Sequence, residues 1–99
     1  MIELTNLHQN VSIHSTYHTA YAFGSLAIIF INFTVSSNIS AWGGTLFKIA
    51  SANFLPKYQE RIKLTDEIVL YTNTNGEIAV QDAVPAGTYN LIAPYIRSL

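Results

Sequence analysis

The chain is 99 residues long, 49% hydrophobic and 12% aromatic but only 11% charged, with five basic and six acidic side chains, a net charge of −1 and no cysteine. That length fits one domain with one modest core, and so little charge cannot coat a small monomer, so part of the surface is expected to be buried against other chains. Five scattered cations exclude a phosphate-backbone partner, which makes nucleic acid an improbable ligand, and the lack of cysteine excludes disulfides, thiolate metal sites and a thiol nucleophile.

Met1-Ile2-Glu3-Leu4 lacks the basic start and apolar run of a signal peptide, so that export route is not expected. No Asp, Glu, Lys or Arg occurs between Glu3 and Lys48. The most apolar part, Ala20 to Val35, is nevertheless shorter than the roughly 18–20 residues that cross a bilayer, and Gly24, Ser25, Asn32 and Thr34 dilute it. Membrane insertion is not expected.

Val11 to His18 alternates apolar and polar residues and predicts a half-buried strand with Val11, Ile13 and Tyr17 on one face. Ser25 to Val35 is rich in β-branched and aromatic residues. It places Leu26, Ile28 and Phe30 on one face and Ala27, Ile29, Ile31, Phe33 and Val35 on the other. A strand apolar on both faces is either sandwiched centrally or covered on its outer face by a neighbouring subunit.

Ser36-Ser37-Asn38 and Gly43-Gly44 set Trp42 beside flexible backbone. Leu46 to Phe54 fits a helical stripe or a short strand, and the strand is favoured. Pro56 ends it, and Lys57 to Lys63 reads as a solvated loop and edge strand carrying most of the charge. Two β-rich runs between Glu67 and Asp82 meet at Asn75-Gly76, whose tolerance of positive φ suits a hairpin turn. After a Pro85-Ala86-Gly87 turn, Thr88 to Ile96 alternates Tyr89, Leu91, Ala93 and Tyr95 against Asn90, Ile92 and Ile96, and Pro94 points to a sheet edge. Six or seven short strands between Gly, Pro and Asn turns predict an all-β fold, a sandwich or a barrel, in a single domain over residues 1–99.

The chemistry-bearing residues form no catalytic pattern. His14 and His18 have the spacing of two helical zinc ligands, but on a strand they lie about 13 Å apart, as exposed polar-face residues. No Gly-x-Ser-x-Gly elbow supports a hydrolase triad, adjacent Asp66 and Glu67 point to opposite strand faces, and Gly43-Gly44 lacks the lysine and helix of a phosphate loop. No enzymatic activity, metal or cofactor is expected. Asn10, Asn32 and Asn38 match glycosylation sequons by chance, Asn32 lying in the most apolar strand. Trp42 and the tyrosines offer flat apolar faces with polar edges that suit stacking on sugar rings, and Trp42 and Tyr58 lie in predicted loops. With Gln59 and Glu60 beside them, they are the candidate saccharide- or partner-binding residues.

The order of features from Ala20 to Ile96 resembles the C-terminal head-type β-domains of bacteriophage tail fibres and of receptor-binding or upper-baseplate proteins, particularly of phages of Gram-positive bacteria. The resemblance lies in a Gly24-initiated hydrophobic strand, Phe54-Leu55-Pro56-Lys57-Tyr58, the Val69 to Val80 hairpin with Asn75-Gly76, Ala86-Gly87-Thr88-Tyr89, and a closing Tyr95-Ile96. Glu60 stands where those heads carry a second proline, and Lys57 where a glycine is usual. The resemblance implies a small jelly-roll-like antiparallel β-sandwich, the C-terminal domain of a longer tail protein, located in the virion tail after assembly in the bacterial cytoplasm. It implies a homotrimer as well, with Ile29, Ile31 and Phe33 of the apolar strand as expected contacts between copies. The implied role is host attachment through cell-wall saccharide, or alternatively a structural adaptor that docks other tail or baseplate proteins.

Overall fold

A computed structural model describes residues 3–14 and 18–98. The all-β expectation holds: among the described residues nine strands form two antiparallel sheets, and the helical conformation is one turn of 3-10 helix at Ala52–Phe54. In chain order the strands are β1 (Leu4–Asn6), β2 (Val11–Ile13), β3 (Thr19–Phe23), β4 (Leu26–Val35), β5 (Thr45–Ile49), β6 (Arg61–Lys63), β7 (Val69–Thr72), β8 (Glu77–Val80) and β9 (Gly87–Ile96).

β4 is the centre of the first sheet. Its whole length pairs with β9, from Leu26 opposite Ile96 to Val35 opposite Gly87, while β3 and then β2 line its other edge. The second sheet has the order β1-β5-β8-β7-β6, which puts Arg61–Lys63 on the edge expected for it. The continuation of the β2 alternation through Tyr17 falls on residues 15–17, outside the described residues. Leu46 to Phe54 resolves as the favoured strand, β5, followed by the 3-10 turn.

Alternation decides what β4 buries. Ala27, Ile29, Ile31, Phe33 and Val35 point inward, join Leu91, Ala93 and Tyr95 of β9, and meet Leu46, Ile49, Leu70, Ile78 and Val80 of the second sheet in one cluster. Phe33 and Phe47 meet edge to face across the two sheets, with ring centroids 5.5 Å apart. Tyr95, buried at the end of β9, donates its hydroxyl to the carbonyl of Phe54 at 2.6 Å. Burial pushes the Tyr95 hydroxyl pKa well above its ordinary value, against a smaller downward pull from Arg97.

This packing corrects one expectation. Ile29, Ile31 and Phe33 cannot be contacts between copies, because all three are buried in the chain's own core. On a strand apolar on both sides, period two separates the faces without saying which one the second sheet covers. The outward set is Leu26, Ile28 and Phe30.

The β7–β8 hairpin forms where Asn75-Gly76 placed it, with a three-residue loop. The Asn73 N–H donates to the carbonyl of Glu77 (2.8 Å), the Gly76 N–H donates to that of Asn73 (2.9 Å), and Gly76 alone in the loop takes a positive φ, 96°. The Gly76 carbonyl accepts the Ile49 N–H at 2.8 Å, which ties the turn to β5. Pro94 sits opposite Ile28 on a strand paired along one side only, so its missing N–H removes no ladder bond.

Candidate functional site

Four segments build a surface pocket of about 190 Å³ on the outer side of the second sheet, lined by Trp42, Gln59, Glu60, Arg61, Tyr71 and Gln81. β6 and β7 set its floor: Arg61 pairs with Tyr71, which pairs with Ala79 of β8, and alternation turns this row outward while Ile62, Leu70 and Ile78 go to the core. Trp42 enters from the connection between β4 and β5, its ring centroid 6.0 Å from that of Tyr71 at 48°.

Trp42 is held in an uncommon backbone state. The Gly43 N–H donates to the carbonyl of Ser40 at 2.9 Å, closing a turn in which Trp42 takes φ 58°, the one positive value of a non-glycine among the described residues. That third turn position favours glycine or asparagine, and an L-residue there costs about 1–2 kcal/mol. The Trp42 N–H donates to the carbonyl of Gln81 (3.2 Å) and the Val80 N–H to that of Gly44 (2.9 Å), so the turn is fastened to the end of β8. The result is a strained residue, 66% exposed, at the side of a pocket. Strain of this kind collects at binding sites.

The polar wall is positioned from below. Thr72, a buried polar residue on the inner face of β7, donates its hydroxyl to the carbonyl of Tyr58 (3.0 Å) and accepts the Glu60 N–H (3.0 Å). Its backbone N–H donates to the Glu60 carbonyl at 2.8 Å. Gln59 donates its side-chain amide to Asn73 Oδ1 (2.9 Å), Arg61 Nε donates to Gln81 Oε1 (2.7 Å), and Glu60 Oε2 accepts the Ile96 N–H (2.9 Å). The guanidinium and the amides are thereby oriented before any ligand arrives, which lowers the ordering cost of binding.

Of the four residues singled out in the sequence, Trp42, Gln59 and Glu60 line this pocket, and Tyr58 lies outside the lining. Tyr58 is exposed in the adjoining loop, with the Lys57 ammonium 5.5 Å from its ring centroid. Tyr71, Arg61 and Gln81 were not singled out. Tyr71 and Arg61 carried one available signal, their outward parity beside Leu70 and Ile62, and Gln81 carried none.

The histidines differ from the exposed pair expected of them. His14 is half-buried with Nε2 2.9 Å from Thr34 Oγ1, and His18 is half-buried as well. No group of three or more His, Cys, Asp or Glu side chains is placed to hold a metal ion among the described residues. Fold and pocket together define a small antiparallel all-β domain with an aromatic, amide-lined hollow on one sheet. No family model matches the chain, and no curated protein or solved structure is significantly similar to it.

Proposed function

We propose that this chain is a host-attachment module of a bacteriophage tail or baseplate, a jelly-roll-like β-sandwich head that binds cell-wall saccharide as a homotrimer and catalyses no reaction. The observation that carries the binding half of this reading is the juxtaposition of Trp42 and Tyr71 over a shallow pocket walled by Gln59, Glu60, Arg61 and Gln81. A pyranose presents one apolar face and a rim of hydroxyls. Two splayed rings suit the face, and amide, carboxylate and guanidinium groups supply donors and acceptors for the rim. The tail setting and the number three rest on the sequence resemblance, and the low charge supports association of copies.

Calorimetric titration with defined cell-wall polysaccharide fragments tests the reading. Binding is expected for the native chain, with at least a tenfold loss for Trp42→Ala, as for removal of a central aromatic anchor. Absence of saccharide binding, together with stable capture of a purified tail or baseplate protein, would replace it with the adaptor role.

A further inference from the structure

Among the described residues, the first sheet turns its inner face to the core and leaves much of its outer face exposed. On β3, β4 and β9 the outward residues fall in three rows: Phe23, Leu26 and Ile96; Tyr21, Ile28 and Pro94; Thr19, Phe30 and Ile92. Eight of these nine side chains are apolar. Beyond the third row the face becomes polar, with Asn32 donating to Asn90 and Thr34 hydrogen-bonded to Thr88 and His14. The apolar area is therefore bounded, and it lies on the opposite sheet from the Trp42 pocket.

We infer that this outer face, centred on Tyr21, Phe23, Leu26 and Ile92, is where a second copy of this chain docks. The inference rests on the self-association in the proposed function and gives it a surface. Area is the first argument. These four residues are 55%, 70%, 37% and 59% exposed. At about 200 Å² per large side chain they offer roughly 450 Å², in the middle of the range for the largest patch on a monomer. Pro94 and the half-buried Ile28, Phe30 and Ile96 between them extend this toward the ~800 Å² per partner of a standard interface.

Charge is the second argument. No acidic or basic side chain stands in the three rows, so two copies meet with no like-charge repulsion, the usual device that keeps a surface from pairing with itself. Arg97, the nearest cation, donates to the carbonyls of Gly24 and Asn53, and no lysine stands on the face to attract anionic lipid. Three copies that turn this face toward a common axis also leave the pocket of each pointing outward.

Phe23→Lys and Ile92→Lys place a charge on this face at exposed positions that the core does not use. Light scattering after size exclusion is expected to show a multiple of 11.0 kDa for the native chain and the single mass for each variant. Circular dichroism and saccharide titration per chain should stay unchanged. An oligomer that survives both substitutions would overturn the inference and leave association standing through another surface. A native chain that runs as a monomer would overturn the face and the homotrimer together, while the titration still judges the pocket separately. A monomer that floats with neutral lipid vesicles and loses that property in Phe23→Lys would assign the face to a membrane instead.

Discussion

Gly76 offers the sharpest test of how the two sheets are held, because its role separates into two parts. Its φ of 96° is one that an L-residue adopts at a cost of about 1–2 kcal/mol. A Cβ at this position would also run into the carbonyl oxygen of Ile49 and lie 3.0 Å from Leu55 Cδ2. The oxygen shares a peptide plane with the Ala50 N–H, so it cannot swing aside without breaking the 2.8 Å bond from that N–H to the Glu3 carbonyl. Losing that bond costs about 1 kcal/mol more. Gly76→Ala should therefore destabilise the chain by about 2–3 kcal/mol, a drop in Tm of roughly 8–24 °C for a domain of this size. Gly24 supplies the control, with φ 59° and nothing within 4 Å of an added Cβ. Gly24→Ala should show the backbone part alone, about 1–2 kcal/mol. Urea unfolding followed by circular dichroism measures both. Equal losses at the two glycines would refute the argument that close approach of β5 to the hairpin adds to the backbone strain.

Thr72→Val keeps the shape of the side chain but leaves the Tyr58 carbonyl and the Glu60 N–H short of a partner; a loss of about 2 kcal/mol in urea unfolding is expected, with weaker saccharide binding as Gln59 and Glu60 loosen. Trp42→Gly relieves the positive φ while removing the ring, so stability should stay within about 1 kcal/mol of the native chain as affinity collapses; parallel loss of both would show that the ring serves folding. Tyr95→Phe should cost about 1 kcal/mol near neutral pH through the orphaned Phe54 carbonyl. Below about pH 10 Tyr95 keeps its proton folded or unfolded; above it the unfolded chain releases the proton while burial makes the folded chain retain it, so native stability falls as pH rises. The Tyr95→Phe variant should lose stability less steeply as pH rises above about 10, a free tyrosine's pKa, and identical slopes there would contradict the burial argument.

Local signals carried the elements well. The alternation of Leu26–Val35, the turn chemistry at Asn75-Gly76 and the edge position of Pro94 each depend on a few neighbouring residues, and each appears in the structure. Face assignment in β4 failed for a physical reason: with Ile28 and Phe30 as apolar as Ile29 and Phe33, only the position of the second sheet decides which set is core. The pocket was half legible. Trp42, Gln59 and Glu60 announced themselves as polar or aromatic residues in loops, whereas Tyr71 and Gln81 reach the same hollow through the pairing of β6, β7 and β8, which no local pattern encodes.

The full-length pairing of β4 with β9 also fixes an order of events in folding. Asn32 and Asn90, bonded across that pair, are 58 residues apart in the chain. β3 and β4 can close at once through the Gly24 turn, but the other edge of β4 has no partner until β9 has been made. Contacts of such long range close slowly, because the loop between them must be ordered before they contribute. At synthesis rates of about 5–20 residues per second, the most apolar segment of the chain waits several seconds as half a sheet. The gatekeeping charges that would protect it are absent between Glu3 and Lys48. Yield of soluble protein should consequently depend on a chaperone that shields nascent strands, more than the stability of the finished fold would suggest.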